Sequence, residues 1–305
     1  MENENIKKKE SISEVLQKYK EGTSNLSDKQ SNKKVVGSEI PKAPTFNPHD
    51  FEKNMSKETD PDLMTSYEII SFPSKGLFYQ HGISEVNVEY MTSKDEDLLT
   101  TPSLIQSGTV LDLLLKRKIK TNGIHPEELL AGDRNAIILF LRTSSYGSDY
   151  TVQVTDPRTN IPFESKVDLL KLKYKEIRET PDEHGHFTVE LPMRKKTVII
   201  KLLTSGEENT IFKKAESIKE AYGNEYSEYN TMKLKSHVVA INDKTDRSYI
   251  DKFVDAMPAL DAYTIRKKIM DVSPDVDMEY EFTTKDGYKF KANLNVGVDF
   301  FFPNT

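Results

Sequence analysis

Residues 88–99 read Val-Glu-Tyr-Met-Thr-Ser-Lys-Asp-Glu-Asp-Leu-Leu, and residues 200–211 read Ile-Lys-Leu-Leu-Thr-Ser-Gly-Glu-Glu-Asn-Thr-Ile. At a constant separation of 112 residues, Val88 falls on Ile200, Tyr90 on Leu202 and Met91 on Leu203. Thr92-Ser93 falls on Thr204-Ser205, and Glu96 on Glu208. Each copy opens with alternating apolar residues: Val86, Val88 and Tyr90 in one, Val198, Ile200 and Leu202 in the other. A period of two gives a strand with one buried face. Ser93 with Glu96, and Ser205 with Glu208, have capping-box spacing, in which hydroxyl and carboxylate satisfy the free N–H groups of a helix start. Two ordinary helix starts would account for the caps but not for the aligned strands before them. The stretch predicts a strand-to-helix unit used twice.

The likeness extends in both directions. Phe72-Pro73 and Leu191-Pro192 precede the two strands. Downstream the offset changes: Gly132-Asp133-Arg134-Asn135-Ala136 opens an apolar helix at Ile137 to Leu141, and Pro258-Ala259-Leu260-Asp261-Ala262 opens another with Tyr263, Ile265 and Ile269. Asp133 thereby pairs with Asp261. A hairpin follows each helix. Tyr150, Val152 and Val154 alternate, turn at Asp156 to Asn160, and return through Phe163, Val167 and Leu169. Met278, Tyr280 and Phe282 alternate, turn at Lys285-Asp286-Gly287, and return through Tyr288, Phe290, Ala292 and Leu294. Asp-Pro and Asp-Gly supply specific turn chemistry. The expected fold is α+β, with two similar lobes at 67–170 and 187–303, each of β-hairpins and a few helices. A chain of two like units imitates a dimer, the geometry of a building block.

Residues 1–60 differ in kind. Only 14 of them are apolar, against roughly 39% of the remaining 245, and 11 lysines balance 11 acids. Such a segment cannot bury a core and is expected to be a flexible N-terminal arm. Within it Ile12, Val15, Leu16 and Tyr19 follow helical spacing, with Ser11 and Glu14 as a capping box and Gly22 as a stop. Two to three turns are too short to stand alone in water. Pro41, Pro44, Pro48 and Pro61 favour an extended chain beyond. Two readings stand side by side: a disordered leader, or a peptide arm that orders on a partner. In the second, Ile12, Val15, Leu16 and Tyr19 are helix anchors, and Phe46 and Phe51 serve as strand or pocket anchors.

Composition excludes whole classes of chemistry. The chain has no cysteine, so disulfides, thiolate metal sites and cysteine nucleophiles are all ruled out. A net charge of −6 opposes broad phosphate neutralisation, and no nucleic-acid partner is expected. No apolar run approaches the ~18 residues of a membrane span, and no secretory signal is visible. A phosphate loop, a HExxH pair and a GxSxG elbow are all missing from the sequence. No enzyme activity, cofactor, metal or small-molecule substrate is therefore expected.

The remaining clusters have plain explanations beside functional ones. His184-Gly-His186 after Asp182-Glu183 reads as a solvated connector rather than a metal site. Lys116-Arg117-Lys118 with Lys120 complements a helix C-terminus, with an acidic partner as the alternative. Arg194-Lys195-Lys196 reads as a hairpin turn, and Lys213 to Glu220 as a mixed-charge helix surface. Tyr222, Tyr226 and Tyr229 lie among Glu and Asn rather than Arg and Lys, which favours a loop or partner contact over base stacking. Phe300, Phe301 and Phe302 close the chain, and three aromatics left in water would be unfavourable. They dock on their own lobe or on a neighbouring subunit, and they join the arm residues as candidate partner contacts.

Several of these segments together resemble a known family. Phe72-Pro73-Ser74-Lys75-Gly76-Leu77-Phe78-Tyr79, Met91 to Leu99 and Gly132-Asp133-Arg134-Asn135 lie in order. So do Tyr146-Gly147-Ser148-Asp149-Tyr150, Phe253 to Pro258 and the closing Gly297-Val298-Asp299-Phe300-Phe301. The chain resembles, over roughly 67–303, the baseplate hub proteins of T-even-like contractile-tailed bacteriophages. The resemblance implies a non-enzymatic structural role in a virion tail baseplate assembled in the host cytoplasm. Its implied partners are other baseplate hub or wedge proteins; the alternative is a transient hub-assembly chaperone absent from the virion. The resemblance implies that many relatives carry Cys-x-x-Cys pairs resembling zinc knuckles in the hairpin turns. Here Asp156 to Asn160 and Thr284 to Gly287 occupy those places, so turn chemistry must close both hairpins.

Overall fold

The alternation at Val86 and Val88 does form a strand. In the computed structural model, which describes residues 66–222 and 227–302, β1 (Tyr67–Ser71) and β2 (Glu85–Glu89) pair antiparallel with Ile69 opposite Asn87. Val86 and Val88 are buried while their neighbours are not. Three short helices follow, α1 (Ser93–Leu99), α2 (Pro102–Gln106) and α3 (Val110–Lys118), and then the longer α4 (Ala131–Tyr146). Strands β3 (Asp149–Thr155) and β4 (Pro162–Asp168) make the second hairpin.

The later half opens in the same way. Strands β5 (His186–Glu190) and β6 (Thr197–Lys201) form a hairpin, then helices α5 (Ser205–Ala221) and α6 (Tyr229–His237) lead to β7 (Val238–Ile241). This last strand pairs with β6 and completes a three-stranded sheet. Helices α7 (Arg247–Asp255) and α8 (Ala259–Val272) precede the final hairpin, β8 (Glu279–Thr283) with β9 (Lys289–Asn293). The architecture is α+β: eight helices and four small antiparallel sheets among the described residues. Residues Ile12, Val15, Leu16 and Tyr19 lie outside them.

The capping boxes sit one residue earlier than the spacing predicts. Thr92, not Ser93, is still extended (φ −120°, ψ 167°), and its N–H donates to the Asp95 carboxylate at 2.8 Å. Thr204 likewise donates to Glu207 at 3.0 Å and accepts from the Glu207 N–H. Ser93 and Ser205 are already inside the first turn, where a side chain no longer reaches the free N–H groups. Ser205 instead donates its hydroxyl to the Leu129 carbonyl at 2.9 Å.

Two apolar cores organise these elements. The larger gathers Val86, Val88, Leu99, Leu114, Leu115, Ile137, Ile138, Leu141, Val167 and Leu169, but also Val276, Phe282, Leu294, Phe300 and Phe301. The second holds Phe187, Val189, Val198, Ile200, Leu234, Ile241, Ile250, Ile265 and Val272. Hairpin β8–β9 therefore packs into the first core although it follows the second in sequence. The cores do not map one-to-one onto residues 67–170 and 187–303. Local devices recur between the halves, while strand and helix content differs.

The cores meet through close backbone approaches. A Cβ on Gly132, in the first turn of α4, would lie 2.0 Å from the Pro274 carbonyl oxygen. No side chain fits there, so glycine lets the strand-like segment after α8 run against α4. Asn135 fixes the same segment by donating to Asp275 at 3.1 Å. Tyr79 packs against both cores and accepts the Leu130 N–H at 2.9 Å.

Candidate assembly surface

Asp133 and Asp261 sit in the first turns of α4 and α8 and are both fully buried. Asp133 accepts the Ser74 N–H at 2.9 Å and the Tyr79 hydroxyl. Asp261 accepts the N–H groups of Met193 at 2.7 Å and Arg194 at 3.1 Å. Burial pushes the Asp133 carboxyl above its ordinary value, against the lowering effect of those hydrogen bonds. Burial, ahead of the neighbouring Asp133, also raises the Tyr79 hydroxyl. These carboxylates brace turns; each is closed off by the groups it accepts from.

The basic cluster after α3 is neutralised within the chain. Lys118 is 2% exposed and pairs with Asp95 at 2.6 Å and Glu89 at 3.3 Å. Arg117 reaches Asp95 at 3.2 Å, and Lys120 reaches Glu89 at 3.2 Å. Although burial acts to raise it, the Lys118 ammonium and the Thr92 donors hold the Asp95 carboxyl below its usual range. The cations at a helix C-terminus thus serve α1 and β2. Only Lys116 of the quartet is exposed without an ion pair among the described residues.

At the hairpin tips a different cation joins two turns. Arg158 contacts Asp156 at 3.2 Å within its own turn and Asp286 at 2.8 Å across on the β8–β9 turn. Its guanidinium lies 4.0 Å from the Tyr288 ring centroid. The Thr284 hydroxyl, then Arg158, lowers the Asp286 carboxyl to about 2. Turn chemistry does close both hairpins, and Arg158 ties one to the other.

The closing aromatics require a correction. Phe300 and Phe301 are 1% and 0% exposed and belong to the larger core, so they are unavailable to a partner. Phe300 meets Tyr150 edge to face at 5.1 Å, and the two adjacent rings, Phe300 and Phe301, are also perpendicular. Buried Arg142 clamps the segment, donating to the Phe300 carbonyl at 2.7 Å, to Gly147 at 2.9 Å and to Asp149 at 3.3 Å. Phe302 is partly exposed beside this core. A groove of about 270 Å³ runs between β3 and β9, lined by Val152, Val154, Phe282, Leu294 and Phe300, with Asp299 its one carboxylate.

The histidine connector is a tight local turn. Asp182 accepts the N–H groups of His184 at 2.9 Å and His186 at 2.8 Å, and the two imidazole rings stand 6.0 Å apart. Among the described residues, no three His, Asp or Glu side chains gather closely enough to hold a metal ion. No described helix is long and apolar enough to cross a membrane.

What the surface does offer is apolar. Tyr67 and Ile69 project from β1, a strand that among the described residues pairs with β2 alone. Leu260, Tyr263 and Met270 project from α8, with Met193 on the turn that Asp261 holds. Sequence reasoning missed three parts of this arrangement: Arg142, His237 and β7. The apolar run Val238-Val239-Ala240-Ile241 before Asn242-Asp243 was the available signal for the strand.

One comparison bears on this surface. The family described as T4 bacteriophage base plate protein matches residues 64–302, which spans every described residue. No curated protein and no solved structure matches the chain.

Proposed function

We propose, from the premise that this chain belongs to the T4 bacteriophage base plate protein family, that it is a non-enzymatic structural component of a contractile-tail baseplate hub. It would act by binding other baseplate proteins during tail assembly in the host cytoplasm. The family match over 64–302 carries the reading. The arrangement of charge supports it: Asp95, Asp133, Asp261, Lys118 and Arg142 hold turns and helix ends in place. Exposed apolar side chains on β1 and α8 supply surface for contact. Residues Ile12, Val15, Leu16 and Tyr19, with Phe302, remain proposed anchors of the same function.

An amber codon in this gene tests the reading. In a non-suppressing host, heads should accumulate without complete baseplates, and a plasmid copy should restore tails. A plasmid copy carrying Leu16→Asp with Tyr19→Asp should restore fewer. Normal baseplates without the protein would contradict the proposal.

A further inference from the structure

Helix α8 is apolar on two sides. Ala262, Ile265, Ile269 and Val272 face the second core. On the opposite side Leu260, Tyr263 and Met270 are 51%, 56% and 67% exposed, and with Lys267 they repeat at three-four-three spacing. That is the seam of a helix that packs against another helix. A helix apolar on both sides belongs between two layers; among the described residues the inner side of this one packs on α6 and β5 while its outer side stays exposed. From Leu260 to Met270 the seam runs about 15 Å along this 14-residue helix, close to three turns.

Charge selects the occupant. Arg266 borders the seam, Lys267 lies in it, and Lys195 and Lys196 are exposed on the turn braced by Asp261. None of the four has an ion pair among the described residues; the exposed acid on the helix is Asp271, at its far end. Two copies joined through this face would set eight cations opposite one another, which opposes self-association. We infer that the outer face of α8 docks an amphipathic helix of another protein, one with acidic residues beside its apolar stripe. The inference deepens the assembly reading and rests on it for the partner's origin.

Carbodiimide coupling in infected cells, followed by purification on this full-length chain, tests the docking. Lys267 should couple to Asp or Glu residues of an amphipathic helix in another protein. Leu260→Ser with Met270→Ser should lower that coupling at least tenfold while leaving the melting temperature of the purified chain unchanged, because both positions are exposed. Arg266→Glu alone should lower it severalfold by charge. Coupling of Lys267 only to a second copy, or to nothing, would overturn the inference, as would full coupling in the Leu260–Met270 variant. Coupling to a helix of a protein outside the baseplate would uphold the docking and remove the baseplate reading.

Discussion

The Asp133 carboxylate accepts the backbone N–H of Ser74, 59 residues away, at 2.9 Å. Ser74 is the first residue after Phe72-Pro73, and Asp261 makes the same bond to Met193, the first residue after Leu191-Pro192. In each case the chain turns tightly beyond the proline, with Lys75 and Lys195 at positive φ (53° and 51°). A helix-borne carboxylate pays for that conformation by satisfying a backbone N–H that has no strand partner.

Replacing either aspartate by asparagine leaves one oxygen for two donors. Asp133→Asn and Asp261→Asn should each destabilise the chain by roughly 1–3 kcal/mol, the usual cost of an unsatisfied buried group. Urea denaturation followed by circular dichroism measures it. An unchanged midpoint in either variant would show that the turn does not depend on the carboxylate.

Arg142 holds three carbonyls that come from α4's end, β3 and the C-terminal turn. Arg142→Met removes all three donors and should cost roughly 3 kcal/mol or more. Arg142→Lys should fare little better, since one ammonium lacks the planar fork that spans them. Thermal melts of the two variants should therefore fall close together and well below the parent.

His237 is buried, and its Nδ1 lies 2.8 Å from the Lys201 carbonyl oxygen. Burial, ahead of every other influence, holds its pKa below the ordinary 6.5, so the folded chain keeps it neutral. The unfolded chain takes up the proton first as pH falls. Stability is thus complete above about 6.5 and is lost as pH drops toward the depressed folded value. A series of melts from pH 7.5 to 5 should show this decline, and His237→Gln should flatten it. Equal slopes in parent and variant would assign the dependence elsewhere.

Asp286 gives a window of the same sign at lower pH. Its carboxyl, lowered from 3.8 to about 2, contributes stability above the unfolded value that disappears as pH falls through the interval to about 2. Arg158→Ala should move its titration upward, with the Thr284 hydroxyl still holding it below 3.8. Carboxyl-carbon NMR reads the midpoint directly. A midpoint that stays in place would remove Arg158 as the link between the two hairpin tips.

The alternating runs at Val86–Tyr90, Tyr150–Val154, Val198–Leu202 and Met278–Phe282 located their strands, because one buried face imposes a period of two. The turn residues located the hairpin ends for an equally local reason. Packing partners were harder to read. Nothing in the spacing of Phe282, Leu294 and Phe300 says which core they enter, since any apolar surface of suitable shape suffices. Arg142 left no signal to read, because a buried guanidinium satisfied by carbonyls has no paired acid in the sequence. The outer seam of α8 was masked by the same helix's inner one: Tyr263 was grouped with Ile265 and Ile269, yet it points the other way.

The most direct test of the structural role is quantitative mass spectrometry of purified virions, with this chain counted against the tail sheath and tube subunits. A built-in baseplate component predicts a small, fixed copy number in every particle. Complete particles that lack the chain, from a phage that still requires its gene for tails, would contradict that role and make it an assembly factor.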